Sequence, residues 1–310
     1  MQTILGSGGS IGIELAKALR TYTNDIRLVS RYPKKVNDSD ELMKADLTQL
    51  ADIKRAIKGS EIVYITIGFP YKTKVWEHEW PTFIQNAIEA CSEENAKLVF
   101  FDNIYMYDPN HLDGMTEDTP IKPTSNKGKV RAEVAQLIMN AIGTGKVEAL
   151  IARSADFYGP SIQNTSMLTE MVFKPLSQGK KANWLASVNY KHSFTYTPDA
   201  GRATALLGNT PDAYNQVWHL PTAKNSLTGK EWIEAIGNEM DKPAKIQLAS
   251  RSMVKLMGLF IPVMREIPEM MYQYDRNYEF ISDKFMNRFE FEITPYQLGI
   301  RQIINADYKS

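Results

Sequence analysis

The residues with the clearest chemical meaning stand at the start of the chain. Gly6-Ser7-Gly8-Gly9-Ser10-Ile11-Gly12 carries glycines spaced G-x-x-G-x-x-G. A glycine has no Cβ, so the backbone there can approach a bound group closely. A helix beginning just behind it would offer unpaired N–H groups and the positive end of its dipole, which together suit a pyrophosphate. Residues 2–5 are a short apolar run. Ile11, Leu15, Ala18 and Leu19 share one face of a helix, and residues 26–29 form a second apolar run. Strand, glycine turn, helix and strand make a βαβ unit of about thirty residues. In that setting the motif reads as a dinucleotide site, with Gly6, Ser7, Gly9, Ser10, Ile11 and Gly12 at the phosphates.

The end of the second strand bears on which dinucleotide. A site for NAD usually places an acidic residue there to accept from the ribose hydroxyls. Here the chain reads Val29-Ser30-Arg31-Tyr32-Pro33-Lys34-Lys35, without an acid. A guanidinium matches a phosphate through its planar fork of donors. Arg31 with Lys34 or Lys35 is therefore expected to hold a 2′-phosphate, which makes NADP the expected cofactor and NAD the alternative.

The elements behind these residues alternate. Residues 50–57 read as a helix, 62–67 as a strand, 83–91 as a helix and 98–101 as a strand. Residues 130–142 then form a helix and 147–152 a strand. Strand–helix alternation implies a parallel sheet covered on both faces, a Rossmann-type doubly wound α/β fold. Beyond residue 155 the pattern loosens. Helices are expected at 166–175, 199–207 and 227–240, the last capped by Thr228, with a strand at 217–220 and a mostly helical tail from Ser250. Residues 1–155 thus read as the dinucleotide-binding domain, with 183–220 contributing to it. Residues 156–310 read as a smaller, mostly helical substrate part.

Composition narrows the function. Thirty-six basic residues balance thirty-six acidic ones, so no broad attraction to nucleic acid or an anionic membrane is expected. Cys91 is the single cysteine, which rules out an internal disulfide and fits a reducing, cytoplasmic setting. The first residues lack the basic start and apolar stretch of a signal peptide. The most apolar run, 253–264, is well short of the ~20 residues of a membrane helix. His78, His111, His192 and His219 are scattered, and no metal site is expected. The expected partner is a small-molecule substrate, and a homodimer is left open. Residues 69–80, with Tyr71, Lys72, Lys74 and Trp76, read either as a substrate-facing loop or as a plain exposed one. Met253, Met257, Met264, Met270 and Met271 either line an adaptable pocket or fill a core.

Further segments carry a family resemblance. Ala45-Asp46-Leu47, Val63-Tyr64-Ile65-Thr66-Ile67-Gly68, Arg153-Ser154-Ala155-Asp156-Phe157-Tyr158-Gly159-Pro160 and His192-Ser193-Phe194-Thr195-Tyr196-Thr197-Pro198-Asp199 occur in that order. With the glycine motif they resemble the extended short-chain dehydrogenase/reductases, the NAD-dependent epimerase/dehydratase-like proteins, over nearly the whole chain. The resemblance implies that Asp46 and Leu47 contact adenine, that Thr66, Ile67 and Gly68 line the cofactor, and that Ser154 lies near the nicotinamide. It places His192 in the substrate segment; otherwise His192 is a polar surface residue.

The departures concern catalysis. The family's reactive Tyr-x-x-x-Lys pair corresponds to Ser125-Asn126-Lys127-Gly128-Lys129, because Glu133 matches the glutamate four residues after the lysine. Lys129 is then the lysine, holding ribose, and Ser125 replaces the tyrosine. A serine hydroxyl is a far weaker acid than a phenol, whose pKa is ~10. Asn103 replaces the family's catalytic Ser or Thr, while Tyr105 adds a phenol that serves as the candidate proton donor or as a packed aromatic. Tyr107 matches the family's structural tyrosine. The preferred reading is an NADP(H)-dependent oxidoreductase with an altered acid–base apparatus. A non-catalytic NAD(P)-binding sensor or scaffold is the alternative. A nucleotide-sugar epimerase or dehydratase is weaker, because it needs a reversible proton shuttle.

Overall fold

Apolar runs of four to six residues that are joined through helices pair side by side in parallel, because each such helix returns the chain to the same edge. This computed structural model describes residues 1–162 and 164–309. The chain divides into two units. The first comprises Met1–Met106, Lys127–Ser154 and Pro198–Leu220; the second comprises Tyr107–Asn126, Ala155–Thr197 and Pro221–Ser310.

In the first unit the strands β1 (Gln2–Leu5), β2 (Ile26–Ser30), β3 (Glu41–Lys44), β4 (Ile62–Ile65), β5 (Lys97–Asp102), β6 (Ala149–Arg153) and, later in the chain, β10 (Val217–His219) form one sheet. It is seven-stranded, in the order β10-β6-β5-β4-β1-β2-β3, and every pairing is parallel. This is the Rossmann-type α/β sheet. β1 lies between β2 and β4, with Leu5 opposite both Val29 and Ile65. The strand order reverses there, and a crevice opens beyond the carboxyl ends of the strands at such a point. β1 and β4 are buried along their whole length, as expected of strands covered on both faces. The edge strand β3 is exposed at Glu41, Leu42 and Lys44, and it carries no apolar period that a sequence reading could detect.

The helices of this unit are α1 (Ser10–Leu19), α2 (Leu50–Ile57), α3 (Thr73–Glu94), α4 (Asn126–Gly143) and α6 (Thr197–Gly208). α3 corrects an expectation: residues 73–80 are helical and do not belong to a loop. Trp76, Trp80, Phe83, Ile84, Ala87, Ile88 and Cys91 form one buried stripe along it. Pro81 lies inside the helix. A proline reads as a helix boundary, but the burial of both tryptophans outweighs the hydrogen bond lost there. Burial pushes the Cys91 thiol up to about 12, so it is inert at neutral pH.

The second unit holds more strand than expected. β7 (Asp156–Tyr158) pairs in parallel with β9 (Phe194–Tyr196), and β8 (Ala182–Leu185) with β11 (Ile246–Ala249). Strands of three or four residues contain too few alternations to be recognised by period. A π-helical turn at Thr169–Phe173 leads into α5 (Lys174–Ser177). α7 (Gly229–Glu239) begins with the expected cap, Thr228, in a capping box with Glu231. The tail is less helical than its composition suggests: α8 (Arg251–Met257), α9 (Asp283–Arg288) and α10 (Tyr296–Asp307) are separated by irregular chain and single 3-10 turns. Tyr158, Phe194, Trp232 and Ile300 are among the buried residues of this unit's core. Among the described residues no helix is long and apolar enough to cross a membrane.

Candidate functional site

The glycine turn is a backbone construction. Gly6 has φ +98°, and a Cβ there would lie 2.4 Å from the Cα and N of Ile67. The exits of β1 and β4 therefore touch backbone to backbone, which only glycine at position 6 allows. A Cβ on Gly12 would lie 2.8 Å from the carbonyl oxygen of Gly6. Gly9 differs: its Cβ would meet only the Gly6 oxygen, at 3.7 Å, and a Cβ on Gly8 would meet nothing within 4 Å. Gly6 and Gly12 thus shape the turn, while Gly8 and Gly9 leave space above it. Gly9 caps α1 with no side-chain hydrogen bond. The first helical N–H bond to it comes from Ile13, at 3.0 Å, so the N–H groups of Ser10, Ile11 and Gly12 have no partner within the helix. Ser7 is 3% exposed, and its Oγ has no hydrogen-bond partner among the described residues. Thr66 secures the β4 exit: its N–H donates to Leu5 O at 2.9 Å and its Oγ1 to Gly6 O at 3.3 Å. Gly68 is exposed.

Beyond β2 and β3 a pocket of about 370 Å³ is lined by Arg31, Tyr32, Lys44, Ala45, Asp46 and Asp52. The fold brings Arg31 and Asp46 together here, with Leu47 buried beside them in sequence. The Asp46 carboxylate accepts from the Thr48 N–H at 3.1 Å and from Thr48 Oγ1 at 2.9 Å. The backbone bond, more than the hydroxyl, holds its pKa below the usual range. Asp52 accepts from the Asp46 N–H at 2.7 Å and pairs with Arg55 at 2.9 Å. Both acids are thus engaged locally. Arg31 makes no hydrogen bond among the described residues, and the Ser30 Oγ is buried without a partner. Lys35 donates to Asp38 O at 2.6 Å. The second cation at the pocket is Lys44, which the sequence reading missed because β3 carries no signal. Its Nζ stands 5.8 Å from the centre of the Tyr32 ring.

At the ends of β5 and β6 the structure reveals a buried ionic group. Arg131 Nε donates to Asp102 Oδ1 at 2.7 Å, and Arg153 Nε lies 3.8 Å from Asp102 Oδ2. The Arg131 guanidinium stands 4.3 Å from the centre of Trp80. Asn103 Oδ1 accepts from the Tyr105 N–H at 3.0 Å, a turn-forming bond of the Asx kind. The Tyr105 ring stacks on Trp76 at 6.2 Å and 15°. Ser154 is buried, its N–H donating to Asp102 O at 2.9 Å. The two lysines of α4 diverge. Lys129 is exposed. Lys127 is fully buried, donating to Thr73 Oγ1 at 2.9 Å with its Nζ 4.5 Å from the centre of Tyr71. A cation on the apolar face of α4 gave no signal in sequence.

The second unit holds its own polar cluster. His192 is 1% exposed and is no surface residue. Its Nε2 lies 2.9 Å from Asp156 Oδ2, which also accepts from the Tyr274 hydroxyl at 3.0 Å. The imidazole is sandwiched between Tyr278, at 4.2 Å and 4°, and Tyr274, at 4.5 Å and 17°. Burial raises the Tyr278 phenol well above its ordinary pKa. Ser125 is buried, and burial pushes the Tyr272 phenol up to about 12. Of the tail methionines, Met270 and Met271 are buried, while Met253 and Met257 are exposed. Among the described residues no cluster of three or more histidine, cysteine or carboxylate side chains could hold a metal.

The model of the NAD dependent epimerase/dehydratase family matches residues 3–219. No curated protein matches the sequence. Among solved structures, the chain is similar to the UDP-glucose 4-epimerase of Thermus thermophilus in complex with NAD, at 16% identity and TM-score 0.79, covering 99% of this chain and 98% of that one. The dTDP-glucose 4,6-dehydratase of Streptomyces venezuelae, with NAD bound, gives 12% identity and TM-score 0.80 over 98% and 96%. The UDP-N-acetylglucosamine 4-epimerase of Bacillus cereus gives 17% identity and TM-score 0.75 over 97% and 94%. At such identities the likeness establishes the fold.

Proposed function

This chain belongs to the NAD dependent epimerase/dehydratase family, and from that premise we propose that it is an NADP(H)-dependent oxidoreductase acting on a small carbonyl compound. The observation that carries the reading is the open glycine turn. Gly9 leaves room for a phosphate, the first N–H groups of α1 are unpaired within the helix, and the buried Ser7 hydroxyl has no partner among the described residues. These groups would hold the pyrophosphate. The preference for a 2′-phosphate rests on Arg31 and Lys44 at the pocket, on Ser30 in place of an acid, and on the local engagement of Asp46 and Asp52. Lys129 keeps an exposed ammonium for the ribose, whereas Lys127 is committed to Thr73 and Tyr71.

When bound, the dihydronicotinamide supplies a hydride. The chain's own contribution is to bind, to orient and to deliver a proton to the substrate oxygen. Ser125 at the usual tyrosine position means that another group delivers it. The single buried cysteine suits a reducing, cytoplasmic compartment. The runner-up is an epimerase or dehydratase acting on a nucleotide sugar, the kind of activity named for the structural neighbours. That reading predicts NAD retained through purification.

The test is fluorescence titration with NADPH and NADH, followed by a screen of aldehydes, ketones and enones for NADPH oxidation. Tighter binding of NADPH with turnover on at least one carbonyl class is expected. Equal affinities would remove the NADP assignment, and tight binding with no turnover would favour a sensor or scaffold.

A further inference from the structure

Basic and acidic residues balance over the whole chain but are unevenly spread. From Lys242 to Arg265 the chain holds five cations, Lys242, Lys245, Arg251, Lys255 and Arg265, and no acidic residue. All five are exposed. Lys242, Lys245, Arg251 and Lys255 form no ion pair among the described residues. The parallel register of β8 and β11 sets Ala182 beside Ile246, which places Lys181 next to Lys245.

The same segment exposes apolar side chains. A surface helix of a soluble protein turns its apolar stripe to the core. α8 does so only with Val254, while Met253, Leu256 and Met257 face solvent. In the turn that follows, Leu259 is 66% and Phe260 82% exposed. Of the fifteen large apolar side chains exposed among the described residues, eight lie between Leu248 and Val263. They therefore make a patch, whereas scattered single residues would need no explanation. The turn is tied at its base. The Ile261 N–H donates to Met257 O at 2.9 Å, and Arg265 Nε donates to Gly258 O at 2.6 Å. Leu259 and Phe260 lie between these bonds, at the tip.

We propose that α8 and this turn dock the protein onto an anionic lipid surface, with Leu259 and Phe260 entering the acyl boundary and the cations meeting the headgroups. Interfacial anchors combine apolar side chains with lysine and arginine in this way. Each cation adds an attraction to an anionic leaflet that dies away within a Debye length. A second copy of the chain is the poorer occupant. A two-fold contact would set the patch against itself and oppose like charges. The charge balance that argues against a broad membrane attraction holds for the whole chain and not for this segment. The attachment is peripheral, and it depends on neither the cofactor nor the reaction.

Flotation of the purified full chain with lipid vesicles tests this. Vesicles of equal parts phosphatidylcholine and phosphatidylglycerol should carry the protein. Vesicles of phosphatidylcholine alone should bind it about tenfold or more weakly. Salt at about 1 M, where the Debye length is about 3 Å, should remove most of that difference. Leu259→Ser with Phe260→Ser should lower binding to the mixed vesicles roughly 100-fold, because two inserting side chains are lost. Arg251→Gln with Lys255→Gln should lower it about 25-fold, at ~fivefold per cation, and leave the phosphatidylcholine binding unchanged. All four positions are exposed, so the thermal midpoint should stay where it is in both variants. Cys91 is buried, so Phe260→Cys supplies a single reactive thiol for a nitrobenzoxadiazole label. Its emission should shift to the blue on the mixed vesicles. No flotation with mixed vesicles at low salt overturns the proposal, and so does flotation that neither double substitution weakens. An unshifted label overturns insertion at the turn. Self-association without flotation, abolished by Leu259→Ser with Phe260→Ser in sedimentation equilibrium, assigns the patch to a second copy and overturns the lipid reading.

Discussion

The glycine turn of the first unit and the Asp156–His192 cluster of the second are built by opposite means. The turn lies within seven consecutive residues and is shaped by side chains that are absent: Gly6 and Gly12 admit backbone where a Cβ would clash, at 2.4 and 2.8 Å. The cluster draws on residues from 156, 192, 274 and 278, and is shaped by side chains that stack and hydrogen-bond. A backbone-made site tolerates change where it faces its ligand and fails where two chains touch. A side-chain-made site has no such division, because each member both packs and satisfies its neighbour's polar atoms.

The largest effect should therefore come from the cluster. His192→Ala removes a buried ring from between two tyrosines and takes a partner from the Asp156 carboxylate. It should cost about 3–5 kcal/mol in urea unfolding. A loss below ~1 kcal/mol would show that the stack contributes little cooperative stability.

The turn should split into two behaviours. Gly6→Ala combines a clash with Ile67 and an unfavourable φ, and should cost about 3 kcal/mol of stability. Gly9→Val should leave the thermal midpoint nearly unchanged while weakening dinucleotide binding by roughly 100-fold, because the valine fills the phosphate's place. Undiminished binding in folded Gly9→Val protein would reduce the motif to a plain strand–helix turn.

Arg31→Ala sharpens the contrast further, since an exposed side chain at the pocket should matter only to the ligand. NADPH affinity should fall about 10–100-fold and NADH affinity by less than about threefold, with stability unaffected. A parallel loss for both dinucleotides would point to the pyrophosphate or adenine as the group Arg31 serves.

The smallest effect is expected at alkaline pH. Burial pushes the Tyr296 phenol up to about 12, and its hydroxyl donates to Ala223 O at 2.9 Å. The folded pKa is raised above the unfolded value of ~10, so this contribution is complete below pH ~10 and lost between pH ~10 and ~12. Tyr296→Phe should flatten that alkaline loss by roughly 1 kcal/mol per pH unit, read from urea midpoints. An unchanged pH slope would mean that Tyr296 ionises alike in the folded and unfolded chains.

By itself the sequence determined whatever is written in consecutive residues. The glycine spacing, the periods of the strands and helices and the cap at Thr228 are local, because backbone approach, pleat and helical turn act over a few neighbours. The missing acid after β2 and the serine at position 125 were legible for the same reason. Tertiary structure decided what depends on distant segments meeting. It buried His192 between Tyr274 and Tyr278, closed Arg131 onto Asp102, and brought Lys44 rather than Lys35 to the pocket beside Arg31. It extended α3 through Pro81 by burying Trp76 and Trp80, and it turned Lys127 inward while leaving Lys129 outside. No period or motif marks these meetings, because each contact exists only once distant segments of the chain have folded together.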